Sequence, residues 1–144
     1  MVRVVHLLVN LMLMRKGLIP IIIGMLALIG GCELGPGEGG RSAITGKVFM
    51  EEYNSAGSLI KDYYIADERV YIIYDDGDTY HDEFRTSFDG SYRFEFLRKG
   101  NYRIFAYSEC LGCPGSTEPS IIEISIDKNG EEIVAEDIVI KKWN

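Results

Sequence analysis

Two patterns of apolar residues divide the chain. Leu18 to Leu28 is one apolar run interrupted only by Pro20 and Gly24, whereas beyond Gly40 apolar positions recur mostly at every second residue. Alternation with period two predicts strands that bury one face. In Ser91–Leu97, Tyr92, Phe94 and Phe96 alternate with Ser91, Arg93 and Glu95. In Asn101–Tyr107, Tyr102, Ile104 and Ala106 share a face, while Phe105 and Tyr107 leave the other half apolar and predict a partner or a covering loop. Arg69–Tyr74 is continuous and rich in β-branched residues, as in a strand buried on both faces. Ala43–Met50 is a further strand, with Gly46 marking a bulge or a close backbone approach. Tyr80–Phe88 is polar and edge-like, and Ile121–Ile126 and Ile133–Ile140 complete the set. Asp75–Asp78, Asp89–Gly90 and Lys128–Gly130 supply turn chemistry. Glu51–Asp67 reads as a long connection with room for one short extension. No helical period competes, so the pattern predicts an all-β sandwich of about seven strands over residues 43–144.

The apolar run before it has another logic. Met14-Arg15-Lys16-Gly17 is a basic start, Leu18 to Leu28 a short apolar core, and Ile29-Gly30-Gly31 a small-residue end before Cys32. That order predicts a secretory signal over residues 1–31, too short for a comfortable spanning helix. Leu28-Ile-Gly-Gly-Cys32 resembles the bacterial lipobox, which implies lipidation of Cys32 and an outer-membrane or cell-surface address reached through the Sec pathway. Met1 to Leu13 is superfluous as a basic start, so translation is expected to begin at Met12 or Met14. Residues 32–42 are rich in Gly, with Pro36, and predict a flexible tether between anchor and domain. In composition this stretch is similar to the tethers of Bacteroidetes-type surface lipoproteins.

Charge narrows the partners. Of 15 Lys and Arg, three (Arg3, Arg15 and Lys16) precede Cys32, whereas all 22 Asp and Glu follow it, so the chain from Cys32 onward carries a net charge of −10. That balance argues against nucleic acid, whose phosphates demand a cationic surface. It argues equally against wholesale adhesion to anionic lipid.

Ala66-Asp-Glu-Arg-Val70, followed by Thr86, Asp89-Gly90, Tyr92, Phe94, Leu97, Gly100, Tyr102 and Ile104 at their spacing, resembles the carboxypeptidase regulatory-like (prealbumin-like) domains. Gly46-Lys47-Val48 is similar to that family's opening strand. The resemblance covers most of Ile44 to Tyr107 and implies an Ig-like or prealbumin-like sandwich acting as a non-catalytic scaffold or binding module. Leu97-Arg-Lys-Gly-Asn-Tyr102 resembles a tyrosine corner, in which Gly100 turns the chain and the Tyr102 hydroxyl bonds backbone a few residues upstream.

Four sets of residues could carry chemistry. Cys110 and Cys113 are expected to pair as a disulfide outside the cytoplasm, stiffening a loop. The alternatives are thiol redox activity or metal handling, although Glu109 beside them disfavours a thiolate and His81 is the single histidine after Cys32. Asp75, Asp76 and Asp78, with Asp82 and Glu83 close by, could bind Ca²⁺ through oxygen, against the simpler reading of a solvated turn. Tyr63, Tyr64, Tyr80 and Tyr107 are the aromatic residues not needed by strand packing and are candidates to stack on a sugar. For catalysis the chain offers no Gly-x-Ser-x-Gly elbow and no phosphate loop. The prealbumin-like hydroxyisourate hydrolases depend on several histidines and a terminal Tyr-Arg-Gly-Ser, whereas this chain ends Lys-Lys-Trp-Asn. The expectation is a non-enzymatic, lipid-anchored module that binds a protein or glycan or organises the envelope.

Overall fold

A computed structural model describes residues 34–144. The signal expected over residues 1–31 and the lipidated Cys32 lie outside the described residues. Nine strands and a short 3-10 turn make up the domain: β1 (Glu38–Tyr53), β2 (Leu59–Tyr64), β3 (Arg69–Tyr74), β4 (Asp82–Arg85), β5 (Ser91–Leu97), β6 (Gly100–Glu109), the turn Pro114–Ser116, β7 (Thr117–Ile126), β8 (Glu132–Val134) and β9 (Ile138–Trp143). Among the described residues no helix is long and apolar enough to cross a membrane.

The strands form two sheets packed as a sandwich. The first is organised on β1, which pairs antiparallel with β5 and β2 and parallel with β8 and β9. The second runs β4-β3-β6-β7, antiparallel throughout. Alternate side chains of each sheet meet between them, as the pleat requires. Ile44, Val48 and Met50 of β1, Tyr92 and Phe94 of β5, and Ile138 and Ile140 of β9 pack in one core with Val70, Ile72, Tyr102, Ile104 and Ala106 from the other layer. Gly46 lies opposite Tyr92, and a Cβ there would collide with the Tyr92 ring, so the expected close approach is real.

Four local expectations need correction. The predicted strand Ile133–Ile140 is split. Thr45 pairs with Val134 but Val48 with Ile138, so the returning chain carries one extra residue and breaks over residues 135–137. The predicted connection Glu51–Asp67 is a hairpin. β1 runs on to Tyr53, and the Asn54 side chain accepts from the Ala56 and Ser58 amides to close the turn into β2. Phe96 does not continue the aromatic face of β5. Its φ of +57° reverses the alternation, leaving Phe96 67% exposed and sending Leu97 into the core at 1%. Tyr80–Phe88 contributes only four residues to β4, although that strand pairs with β3 alone and is the expected edge.

The tether is also shorter than residues 32–42. Glu38 and Ser42 both lie opposite Leu97, so the glycines between them form a bulge against β5, where a Cβ on Gly40 would strike the Leu97 carbonyl. Gly37 donates its amide to the Tyr102 hydroxyl (3.0 Å) and accepts from the Arg98 amide (2.9 Å). The Arg98 side chain donates to the Gly35 carbonyl at 2.8 Å. Gly100, at φ +139°, leaves room for Pro36, which would clash with any side chain there. Glycine here allows close packing, and the segment is held to the fold.

Candidate functional site

The outward face of the β4-β3-β6-β7 sheet collects the aromatic residues that the core does not use. Register fixes its rows. Arg103 of β6 lies between Ile73 of β3 and Glu123 of β7, and the next row places Phe105 between Tyr71 and Ile121. Beyond them Tyr107 lies opposite Pro119. Tyr71, Ile73 and Phe105 form a second apolar cluster on this side, separate from the main core. Tyr71 stacks on Phe105 with centroids 5.0 Å apart, and Tyr107 meets both rings edge-on, at 5.7 Å from Tyr71 and 5.4 Å from Phe105. Tyr80, from the β3–β4 loop, covers Tyr71 at 4.9 Å.

Burial grades this cluster from floor to rim. Tyr71 and Phe105 are buried, whereas Tyr107 is 49% exposed, Tyr80 54% and Ile121 47%. The rim is charged: Arg69 and Glu83 form an ion pair at 3.9 Å across β3 and β4. Proximity to the Tyr71 hydroxyl and to Glu83 holds the Arg69 guanidinium above its ordinary pKa. The surface therefore offers ring edges and faces next to fixed hydrogen-bonding groups. The half-apolar outer face of Asn101–Tyr107 has a loop residue, Tyr80, over part of it and solvent over the rest.

Beside this cluster, Asp75, Asp76, Asn101, Arg103 and Glu123 line a cleft of about 300 Å³. The Arg103 guanidinium donates from Nη2 to the carbonyls of Gly77 (2.7 Å) and Asp75 (3.2 Å). A cation thus already occupies the inside of the acidic turn that suggested calcium. Asp75 and Asp76 form the turn after β3, Asp78 lies in the bend beyond it, and among the described residues no three His, Cys, Asp or Glu groups converge as a metal site. On the other side of that turn, the His81 ring stacks on Tyr74 at 4.4 Å and its Nδ1 accepts from the Tyr74 amide. Burial, with Glu38 and Asp82 nearby, pushes the Tyr74 hydroxyl up to about 12.

Tyr63 and Tyr64 lie on β2, in the opposite sheet, and do not join Tyr107. Each has local partners. The Tyr63 hydroxyl donates to Glu52 (2.6 Å) beneath Lys61, and the Tyr64 hydroxyl donates to Asp137 (2.9 Å) beneath Lys47. Those hydrogen bonds to carboxylates raise both phenol pKa values.

Cys110 and Cys113 are disulfide-bonded, with Cα atoms 5.9 Å apart. The bridged loop is further closed by the Cys110 amide donating to Ser116 and the Ser116 amide donating to Cys113. It stands at the far end of β6, beside Glu109 and Trp143. There the Ser108 hydroxyl and the Glu109 carboxylate accept the Lys141 and Trp143 amides of β9, at 2.9 and 2.7 Å.

Sequence reasoning placed Phe105 and Tyr107 on a half-apolar outer face and kept Tyr107 and Tyr80 as ligand candidates, but assigned Tyr71 to strand packing. The available signal was the parity of Tyr71, Ile73, Phe105 and Tyr107, all odd-numbered on strands whose even-numbered residues fill the core.

No family model matches the chain, and no curated protein matches it. Among solved structures, one similar to it is the crystal structure of a "putative carbohydrate binding protein" from Pseudomonas aeruginosa. The two share 13% identity over 74% of this chain and 91% of that one, with a TM-score of 0.45.

Proposed function

We propose that this chain is a lipid-anchored, non-enzymatic binding module of the bacterial envelope, and that its binding surface is the outer aromatic face of the β4-β3-β6-β7 sheet. The observation that carries the site is the Tyr71–Phe105 stack with half-exposed Tyr80 and Tyr107 above it. A solvated sheet face normally carries polar side chains, and here the centre is apolar while the rim is charged. The lipid anchor is the reading of the lipobox-like Leu28–Cys32 run, and the carboxypeptidase regulatory-like resemblance supports a scaffold without catalysis.

The ligand class that fits this face is carbohydrate. A sugar ring offers an apolar C–H face to a tyrosine ring and hydroxyls to fixed charged groups around it. Tyr107 and Tyr80 supply the rings, with Arg69 and Glu83 as polar partners. The test is a glycan array probed with the folded domain, followed by titration of any hit against Tyr107→Ala and Tyr80→Ala. Binding that falls at least tenfold in both variants, at unchanged melting temperature, is the expected result. Binding unaffected by either variant, or none to any glycan, overturns the carbohydrate reading.

A further inference from the structure

The corner where β5 passes into β6 carries two unusual apolar exposures. Phe96 is a bulky aromatic residue held at φ +57°, a conformation rare for such side chains, and it is 67% exposed. Backbone strain of this kind persists where the surroundings impose it and concentrates at functional surfaces. Leu34 is 70% exposed at the start of the segment that docks on the same corner through Gly37 and Arg98. Arg98 and the exposed Lys99 follow just after Phe96, beyond the buried Leu97, and neither is ion-paired among the described residues. Glu38 is the nearest carboxylate in sequence on the docked segment, and Asp127 follows Ile126, the residue opposite Gly100.

Distance along the chain identifies what this corner faces. Gly35 is already held by the Arg98 side chain, and it lies three Cα steps from Cys32, about 11 Å at full extension. We propose that this corner lies in the interface of the bilayer that anchors Cys32, with Phe96 and Leu34 among the head groups and Arg98 and Lys99 against lipid phosphates. The inference rests on the lipid-anchor reading. Aromatic rings favour the membrane–water interface, and long cationic side chains reach phosphate while their stems stay in apolar surroundings. The net charge of −10 from Cys32 onward does not oppose a contact this local, because charges more than a Debye length away are screened. β6 begins at this corner and is ten residues long, so the Cys110–Cys113 loop at its other end stands roughly 30 Å farther out. The docked segment then fixes the orientation of the domain as well as its distance from the membrane.

Trp143, the single tryptophan, lies at the outer end and serves as an internal control. The full-length lipidated protein is reconstituted in phosphatidylcholine–phosphatidylglycerol vesicles containing brominated lipid. Emission of Phe96→Trp/Trp143→Phe is expected to fall severalfold and shift to the blue, while native Trp143 emission is unchanged. Arg98→Ala, introduced into the same variant, should return much of the lost emission by releasing the docked segment. Protein that carries an acyl mass at Cys32 and floats with the vesicles, but shows equal emission at positions 96 and 143, overturns the corner contact alone. Protein without an acyl mass at Cys32 overturns the anchor reading and this inference together.

Discussion

The Tyr102 hydroxyl donates to the Arg98 carbonyl at 2.7 Å while accepting the Gly37 amide at 3.0 Å. One phenol therefore closes the β5–β6 corner and fastens a segment 65 residues earlier in the chain. Tyr102 is 1% exposed and Gly37 is buried, so the Gly37 amide has no water as a substitute. Tyr102→Phe is expected to cost about 1–3 kcal/mol, the penalty for leaving buried polar groups without partners. Urea unfolding should show the loss, and hydrogen exchange should show Gly37 protected in the native protein and exposed in the variant.

Gly46 and Tyr92 pack closely across β1 and β5, with no room for a Cβ between them. Gly46→Ala should destabilise the domain by about 1–3 kcal/mol, because a methyl group forces the ring out of a packed core. Tyr92→Leu in the same chain should recover part of that loss. Thermal melts of the two single variants and the double variant give the coupling, and simple additivity would disprove the contact.

Asp89 accepts from the Ser91 hydroxyl and amide and from Lys47, which hold its carboxyl at about 2. Folding thus favours the ionised form. The stabilisation is complete above the unfolded value, near pH 4, and disappears as pH falls through about 2. An NMR titration of the side-chain carboxyl should give a midpoint near 2, and Asp89→Asn should flatten the stability profile between those limits.

The Cys110–Cys113 bridge closes a very short loop, so chain entropy assigns it about 2 kcal/mol or less. Cys110→Ser/Cys113→Ser should remain folded, with a lowered melting temperature and with ligand binding on the Tyr107 face unchanged. A variant that fails to fold would show that the loop matters to the sandwich beyond its covalent closure.

Much of the fold was legible because alternation is a direct physical consequence of the pleat. Tyr92, Phe94, Tyr102, Ile104 and Ala106 occupy the core face that their parity predicts. The tyrosine corner was also legible, since its function depends on residues only a few positions apart. Phe96 was misread because alternation assumes an unbroken strand, and a left-handed residue reverses every later position. β2 was legible only as an unplaced short extension within Glu51–Asp67, because Leu59 to Lys61 are exposed and present no periodic contrast. The docked segment was missed because its glycines have the composition of a linker. What holds them is Arg98 and Tyr102, more than sixty residues away. The aromatic face was half legible, since Tyr71 and Phe105 meet only through the β3–β6 register.

β1 has a consequence for how the molecule comes into being. It lies near the start of the domain, yet β8 and β9, which complete one of its sides, are the last two strands of the chain. A chain delivered N-terminus first carries β1 half-paired until Trp143 has emerged. Contacts of such long sequence separation form slowly and together. Loss of β9 (Ile138–Trp143) would leave a sticky, unfinished sheet whose exposed strand invites pairing with another chain. β9 acts as the latch of the whole fold, and a chain that lacks it is the form most exposed to proteases and to aggregation.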